Sequence, residues 1–256
     1  MMIALALRAG PRASRRTSQL RQTNRKWVHG LPLHGPLASV QASGATVFTR
    51  AIDQTQFKGV DVRDILAREI AERTVGARVI DVGCGSGVLT RRLDRRLDDL
   101  ATIVGVDSSR AMVEQARRGS PNLPFACADA FNITGTYDVA CVSFVFHELP
   151  ASDHKKLLMH LTRRTQETFI LDVDPYFPSL ATPSFHQHLF EPFIRDYCKS
   201  WQDSLSSVGG RRLELFLPPG VCAWHIASPV ADRPEKKECD EREWQERERH
   251  EREYVF

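Results

Sequence analysis

Between residues 61 and 228, short apolar runs alternate with longer segments in which apolar side chains recur every three or four positions. Runs of the first kind are typical of buried strands, and segments of the second kind are typical of amphipathic helices. The pattern predicts strands at 79–82, 102–106, 124–127, 137–146, 168–173, 212–217 and 221–227. It predicts helices at 61–73, 88–100, 111–118, 153–165 and 186–205.

Strands that alternate with helices indicate an α/β fold with a doubly wound, mostly parallel sheet. The seven predicted strands follow that rule except for the last two, which have no helix between them. Only Pro218, Pro219 and Gly220 separate that pair. A connection this short joins antiparallel strands, so the chain is predicted to end its seven-stranded sheet in an antiparallel C-terminal hairpin.

The segments that flank this pattern differ from it in composition. Residues 1–30 are rich in Arg and Ser and contain no acid, as organelle transit peptides do. Residues 31–60 are predicted to be a linker and a lead-in segment, and residues 61–230 the folded domain. Residues 231–256 are almost entirely charged, which is typical of a solvated helix or of a disordered tail.

The distribution of charged and apolar residues along the chain limits the kinds of partner that the protein is expected to bind. No acidic residue precedes Asp53, whereas eight cationic residues do, and setting those eight aside turns the net charge of +3 into −5. The mildly acidic domain gives no argument for nucleic-acid binding. No apolar run approaches the roughly 20 residues of a membrane span. The basic leader predicts a mitochondrial or plastid location, or a cytoplasmic one if it is not functional.

The six cysteines lack the close CxxC spacing of redox and zinc sites. Several of them fall in predicted strands, which indicates free, buried thiols in a reducing compartment. No metal ligand is therefore predicted, and the oligomeric state is left open by the sequence.

The segment 79–90 reads VIDVGCGSGVLT and carries the clearest chemical signal. An apolar strand leads into glycines at 83, 85 and 87, and an amphipathic helix follows. Glycine allows the tight turn and a close approach of the backbone to a ligand, and the start of the helix offers free N–H groups. A turn of this kind can bind either a dinucleotide or S-adenosylmethionine.

Two observations decide between those ligands. A dinucleotide site expects GxGxxG, but the third glycine would fall at position 88, which is Val88. Asp81 lies two residues before the turn, where its carboxylate would repel a pyrophosphate and attract an ammonium group. S-adenosylmethionine carries an ammonium group and no phosphate, so the charge favours this cofactor over NAD.

The glycine turn resembles motif I of the class I S-adenosylmethionine-dependent methyltransferases, and the likeness extends over residues 60–228 in the order of the later elements. It is strongest for small-molecule enzymes of methyltransferase types 11 and 25. The resemblance implies that Asp107 binds the ribose hydroxyls, that Met112 lies beside the adenine and that Asp129 faces the adenine amino group. The full set of implied cofactor residues is Asp81, Gly83, Cys84, Gly85, Gly87, Asp107, Ser108, Met112, Asp129, Ala130 and Ser143.

The fourth predicted strand continues into Phe146, His147 and Glu148. In the family this strand end faces the methyl group and the acceptor, so His147 and Glu148 are the candidates for a catalytic base. The ubiquinone and menaquinone branch has a polar residue at the equivalent of His147. That branch also carries a Lys-Pro-Gly-Gly turn before the fifth strand, whereas this chain has 163-RRTQE-167. No Asn-Pro-Pro-Tyr string follows the fourth strand, which argues against amino-methylation of DNA bases or glutamine.

The acceptor side is expected to include the end of the fifth strand, where Asp172 and Asp174 are candidates for the pocket wall. The segment 175–193, rich in Phe, Pro and His, is predicted to cover an acceptor with apolar character. Its predicted contact residues are Tyr176, Phe177, Phe185 and His186.

The sequence predicts a methyltransferase that acts on a small molecule, at oxygen or carbon, by direct displacement. Positioning of the two reactants supplies roughly 7–11 kcal/mol in favourable cases. Two other functions remain open: a protein methyltransferase, and an organelle assembly factor that binds S-adenosylmethionine without methyl transfer. A Rossmann dehydrogenase is disfavoured by Val88.

Overall fold

The computed structural model describes residues 57–177 and 193–228, together with the backbone of residues 27–28 and 31–32. Two short strands come first in the chain, β1 (Trp27–Val28) and β2 (Leu31–Pro32). The next seven form one sheet: β3 (Arg78–Val82), β4 (Thr102–Asp107), β5 (Phe125–Cys127), β6 (Tyr137–Ser143), β7 (Thr165–Val173), β8 (Arg211–Arg212) and β9 (Val221–Ala227). Within the described residues their order in the sheet is β5-β4-β3-β6-β7-β9-β8. The first five are parallel, and β9 pairs antiparallel with both β7 and β8. The predicted fold class is confirmed.

Five helices connect or follow these strands within the described residues: α1 (Val62–Arg73), α2 (Val88–Arg96), α3 (Arg110–Gly119), α4 (Ala151–Thr162) and α5 (Ile194–Ser206). Asp61 caps α1 by accepting a bond from the Asp64 N–H at 3.0 Å, and Ser109 caps α3. Two ion pairs hold α2 against α1, Arg92 to Asp61 at 2.6 Å and Arg96 to Asp64 at 2.7 Å. The arginines of α2 thus fix the position of α1 at one edge of the later site.

Two hydrophobic clusters cover the two faces of the sheet. On one face α4 and α5 bury Leu157, Leu158 and Trp201 against β6 and β7. On the other face α1 and α2 bury Leu66 and Leu93 with residues of β3 and β6. The strand order reverses between β3 and β6. An open doubly wound sheet is expected to have its ligand-binding crevice at this point, outside the carboxyl ends of the strands.

Several predicted boundaries are wrong at their ends. The helix predicted at 88–100 ends at Arg96, and Leu100 is 72% exposed instead of packed. Its end has a local cause: the Asp98 carboxylate accepts bonds from the N–H groups of Gly76 and Leu100, which replaces a helical turn. The helix predicted at 153–165 ends at Thr162, and Thr165 instead begins β7, three residues earlier than predicted.

Two predicted strands are shorter than expected. The strand predicted at 137–146 ends at Ser143, because Phe144 has a left-handed backbone (φ 57°) and Phe146–Glu148 form a 3₁₀ turn. The strand predicted at 212–217 is reduced to Arg211–Arg212, and beyond it only the Leu213 N–H still bonds β9, at Ala223. The antiparallel pairing of these two strands is confirmed, but the connection between them comprises residues 213–220 and not Pro218–Gly220 alone.

Several predictions fall on residues that the structure does not describe. They are the leader up to residue 26, the tail from 231, the lid residues Phe185 and His186, and the first part of the helix predicted at 186–205. A two-residue ladder, β1 (Trp27–Val28) with β2 (Leu31–Pro32), lies across the boundary between the predicted leader and linker. No helix among the described residues is long and apolar enough to cross a membrane.

The described cysteines carry free thiols, as expected. Cys84, Cys141 and Cys222 are buried, whereas Cys127 is exposed. Among residues 57–177 and 193–228, no group of three or more His, Cys, Asp or Glu side chains is arranged to hold a metal ion.

Candidate active site

The glycine turn lies directly above β3 and is held by backbone bonds. The N–H groups of Gly83 and Cys84 both donate to the Val106 carbonyl of β4, at 2.8 and 3.0 Å. Gly83, Gly85 and Gly87 all have positive φ, a conformation that L residues rarely adopt. The turn therefore presents its backbone, and not a side chain, to the crevice.

Gly85 and Gly87 occupy different surroundings within this turn. A Cβ atom at Gly87 would lie 2.8 Å from Cζ of Phe125, so that glycine is required for packing against β5. A Cβ atom at Gly85 would meet nothing within 4 Å. The open space beside Gly85 is where a ligand can lie against the backbone.

Asp81 is a fully buried carboxylate immediately before the turn. Its Oδ2 accepts a bond from the Thr90 hydroxyl of α2 at 2.6 Å, while its buried Oδ1 has no hydrogen-bond partner. Burial raises the pKa of this carboxyl to about 7, although the bond from Thr90 lowers it and the nearby Asp107 raises it. A buried acceptor without a partner is costly, so the geometry suits a cationic ligand group that would bind Oδ1.

A second polar atom without a partner lies on the same face of the sheet as Asp81. Cys141 of β6 pairs with Asp81 across the sheet, and Ser143, two residues further along, shares that face because side chains alternate along a strand. The buried Ser143 Oγ has no hydrogen-bond partner either. The ends of β3 and β6 therefore place an unpartnered carboxylate oxygen and an unpartnered hydroxyl on the same face of the sheet.

Asp107 ends β4 and holds the turn from the other side. Its Oδ2 accepts the Gly85 N–H at 2.8 Å, and its Oδ1 accepts the Ser109 N–H at 2.7 Å. Burial raises the pKa of Asp107 to about 6, the two backbone donors lower it, and the Glu148 carboxylate raises it further. Each carboxylate oxygen keeps a second lone pair, which can accept the hydroxyls of a ribose.

The remaining predicted cofactor residues differ in how far they are exposed. Ser108, Met112, Asp129 and Ala130 are partly exposed around the ends of β4 and β5. Asp129 caps a 3₁₀ turn by accepting the Phe131 N–H at 3.0 Å, which fixes its carboxylate. The Cys84 side chain is buried against Val113 and Phe125. Only the backbone of Cys84 is therefore left to contact a ligand.

His147 and Asp172 form a buried pair at the other end of the crevice. His147 lies in the 3₁₀ turn after β6, and its Nδ1 is 2.5 Å from Oδ1 of Asp172, the penultimate residue of β7. Asp172 also accepts the backbone N–H groups of Phe146 at 2.9 Å and of Val173 at 2.8 Å. The turn and the strand thus fix both oxygens of this carboxylate.

The surroundings of His147 are acidic on one side and aromatic on the other. Its Nε2 is 4.0 Å from Oε1 of Glu148, which is partly exposed. The rings of Phe144 and Tyr197 meet the imidazole edge to face, at centroid distances of 6.4 and 6.5 Å. Phe57 stacks on Phe144 at 5.9 Å and so extends the aromatic wall.

The other acceptor-side predictions are placed as follows. Phe177 packs against the core and beside Gly220, whereas Tyr176 is 64% exposed and its hydroxyl bonds Gln202. Asp174 forms an ion pair with Arg212 at 3.5 Å and is part of the β7–β8 connection.

Sequence reasoning missed two contributions to this end of the crevice. One is the pairing of Asp172 with His147, for which the only signal was a carboxylate at a strand end. The other is α1, from which Arg63 lies 4.6 Å over the Phe144 ring and lowers the pKa of Asp81 by its charge. Neither contact could be predicted from the spacing of residues along the chain.

Comparison with known proteins agrees with this geometry. Residues 79–168 match the model of a methyltransferase domain family. The chain is 34% identical over 184 residues to the trans-aconitate 2-methyltransferase of Azoarcus sp. (strain BH72), covering 70% of this chain and 68% of that protein. It is 35% identical over 138 residues to the enzyme of the same name from Deinococcus radiodurans, covering 52% of this chain and 48% of the relative. The match thus spans about half of the length of that relative.

A solved structure of the plantazolicin methyltransferase BpumL, in complex with a monoazolic desmethylPZN analog and SAH, has the same fold. Its TM-score is 0.52 at 16% identity, over 74% of this chain and 94% of that one. The chain belongs to the class I S-adenosylmethionine-dependent methyltransferases, as the length and identity of the Azoarcus match establish. The cofactor of this family fits the site, because the buried Asp81 Oδ1 lacks a partner and the space beside Gly85 is open.

Proposed function

We propose that this protein transfers a methyl group from S-adenosylmethionine to a small molecule. The proposal rests mainly on the buried Oδ1 of Asp81, which has no hydrogen-bond partner. The space next to the Gly85 backbone, in the turn that follows Asp81, is open. The amino group of the cofactor is a cation of the right kind to satisfy that oxygen. The relatives named for trans-aconitate methylation support a small acceptor of some type, without identifying it.

The residues divide the binding of the cofactor between them. Asp81 and Ser143 would bind its amino-acid end, Asp107 would accept hydrogen bonds from the ribose hydroxyls, and Asp129 would accept one from the adenine amino group. When bound, the cofactor supplies a methyl group that is activated by a positive sulfur. Burial raises the pKa of Asp81 to about 7 and that of Asp107 to about 6, and a bound cationic cofactor would favour the ionised form of both carboxyl groups.

The main contribution of this chain to the reaction is alignment and the exclusion of water. Alignment of an acceptor with the methyl group supplies roughly 7–11 kcal/mol at best. His147 is proposed as the general base. Glu148, whose partly exposed carboxylate lies 4.0 Å from Nε2 of His147, is proposed to assist it. A base of this kind contributes roughly 10²–10⁴-fold where the acceptor must lose a proton.

Methyl transfer to fractionated cell extract tests this proposal. The protein is incubated with S-adenosylmethionine labelled in its methyl group, and label is followed separately in the low-molecular-weight and protein fractions. Label in the small-molecule fraction, lost in Asp107→Ala and kept in the exposed-surface control Asp203→Ala, is expected. Label only in the protein fraction would indicate a protein methyltransferase. Cofactor binding without transfer to either fraction would indicate a binding protein and contradict the proposal.

A further inference from the structure

The outer edge of the sheet, at β8, carries an inference about how this protein associates. We propose that residues 211–216, the edge segment, pair antiparallel with the same segment of a second copy of this chain, about a two-fold axis at Leu213. The edge segment lies away from the glycine turn, because β6, β7 and β9 separate β8 from β3. The inference therefore stands independently of the proposed function.

The outer side of the edge segment offers backbone groups for pairing. Among the strands that the structure describes, β8 is the last of its sheet and pairs with β9 alone. The Leu213 N–H continues that pairing by donating to the Ala223 carbonyl at 2.9 Å. Backbone groups of successive residues point to opposite sides of a strand, so those of Arg212 and Glu214 face away from β9. These two residues therefore present N–H and C=O groups to another strand.

The charges of the edge segment are complementary to those of an identical segment. Charged side chains on an edge strand normally prevent pairing, because like charges come to lie opposite each other. Arg212 and Glu214 have opposite signs and flank Leu213. With the two-fold axis at Leu213, Arg212 of each copy lies opposite Glu214 of the other, and their outward backbone groups face each other in the same register. A strand without this order of charges would be repelled.

Both charged side chains have the capacity for this contact. Glu214 is exposed and has no hydrogen-bond or ion-pair partner among the described residues. The Arg212 side chain is 56% exposed and forms an ion pair with Asp174 at 3.5 Å. A guanidinium has five N–H donors, so Arg212 can bind Asp174 of its own chain and Glu214 of the second copy together. Because the first ion pair already restrains Arg212, association would immobilise it at a lower entropic cost.

Phe216 adds an apolar contact to the same face of the segment. The alternate residues Leu213, Leu215 and Leu217 pack inward against the hydrophobic cluster beside α1. Phe216 therefore lies on the opposite face, with the charged pair, and is 96% exposed. In the proposed register it lies opposite Gly210 of the second copy, where the missing side chain leaves room for the ring. Association would remove this apolar surface from water.

Sedimentation of the full chain at about 5–500 µM tests the pair, since a dimer of micromolar affinity dissociates within this range. The parent is expected to sediment as monomer and dimer together. Glu214→Arg brings arginines opposite each other, and Arg212→Glu brings glutamates together, so the dimer dissociation constant should rise at least about tenfold in each. Asp203→Arg, the same change of charge at an exposed position on α5, should match the parent.

The two charge variants mixed together give the sharpest result. In a mixed pair, each arginine of the Glu214→Arg chain lies opposite a glutamate of the Arg212→Glu chain. The mixture should therefore contain a heterodimer at concentrations where neither variant dimerises alone. Circular dichroism checks that both variants are folded. Phe216→Ser should raise the dissociation constant of the parent dimer about fivefold or more, since an apolar contact is lost.

Amide hydrogen exchange separates strand pairing from a contact of side chains alone. The amides of Arg212 and Glu214 should be protected in concentrated parent and should exchange freely in dilute solution or in Glu214→Arg. Exchange at those amides that does not depend on concentration, in a protein that dimerises, would overturn the strand pairing.

Three further results would overturn the inference as a whole. They are a parent that stays monomeric up to the highest concentration, a dimer whose affinity is unchanged in Glu214→Arg, and a mixture of the two folded charge variants without heterodimer. None of these measurements involves the cofactor, so their failure leaves the proposed function intact, and failure of the proposed function leaves the dimer intact.

Discussion

The two ends of the crevice are built in different ways. The cofactor half, comprising 81–87, Asp107 and Asp129, is held by backbone bonds within and between β3, β4 and the turn. The acceptor half, comprising Phe144, His147, Asp172 and Tyr197, is assembled from side chains on β7, α5 and the segment after β6. The first half therefore depends on local backbone conformation, whereas the second depends on packing between distant segments.

The two halves also differ in how completely their polar atoms are bonded. The cofactor half contains the buried Asp81 Oδ1 and lies beside the buried Ser143 Oγ, and neither atom has a partner. In the acceptor half, Asp172 accepts two backbone N–H groups and the His147 ring. The comparison indicates a cofactor half that a ligand completes and an acceptor half that is organised beforehand. The predictions below test that contrast.

The largest expected effect is on ribose binding in the cofactor half. Asp107→Ala removes a charged acceptor for two hydroxyls and also the bond that holds the Gly85 N–H. Each hydrogen bond to a charged group is worth about 1.5–3 kcal/mol, so affinity for S-adenosylmethionine should fall at least about 100-fold. Calorimetric titration measures this, with Asp203→Ala as the matched exposed control. A loss under about fivefold would contradict the ribose assignment.

Two glycines of one turn should respond in opposite ways. Gly87→Ala forces a Cβ atom to within 2.8 Å of Phe125, so it should add about 1–3 kcal/mol of overpacking to about 1–2 kcal/mol of left-handed strain, while the folded protein still binds cofactor. Gly85→Ala meets no atom within 4 Å, so it should cost only about 1–2 kcal/mol of left-handed strain but weaken binding about tenfold or more. Urea unfolding and calorimetry on both variants give the comparison, and the reverse pattern would contradict it.

The pH dependence of stability should reveal the unpartnered carboxylate. The raised pKa of Asp81, about 7 against an ordinary 3.8, means that the folded protein holds a proton between about pH 4 and 7 that the unfolded chain has lost. Its contribution therefore makes the ligand-free protein less stable as pH rises through that range. Urea midpoints at pH 5–8 should show that decline in the parent and a weaker one in Asp81→Asn. Identical slopes would mean that Asp81 is already ionised in the fold.

The smallest effect is expected in the acceptor half. Tyr197 is buried, and its hydroxyl donates to the Val173 carbonyl at 2.9 Å. Tyr197→Phe should cost about 1 kcal/mol of stability without changing cofactor affinity. Tyr137→Phe is the control, since Tyr137 is partly exposed at the amino end of β6, opposite the strand end that leads to His147, and it should change stability by less than about 0.5 kcal/mol. A change in cofactor affinity in Tyr197→Phe would contradict the claim that the two halves of the site act independently.

The same contrast explains what the sequence could predict. The strand–turn–helix of β3 and α2 is local, so Asp81 and the glycines could be located from spacing and charge, whereas the role of Asp107 was implied by the family resemblance. The exact ends of helices and strands could not be predicted in this way. The end of α2, for example, is set by the Asp98 side chain, which accepts hydrogen bonds from backbone N–H groups, and the periodicity of apolar residues does not report such bonds. The pairing of Asp172 with His147 depends on β6 and β7 lying side by side, which no local pattern reports.

Calorimetric titration with S-adenosylmethionine, in two buffers of different ionisation enthalpy, tests most directly that Asp81 and the glycine turn bind this cofactor. We expect micromolar affinity, about −8 kcal/mol. A bound ammonium would ionise Asp81, so binding should release protons near pH 6.5 and the heat should depend on the buffer. Asp81→Asn should bind about 30-fold more weakly without that dependence, and Asp203→Asn should behave as the parent. Equal affinity in Asp81→Asn, or no binding by the folded protein, would contradict the assignment.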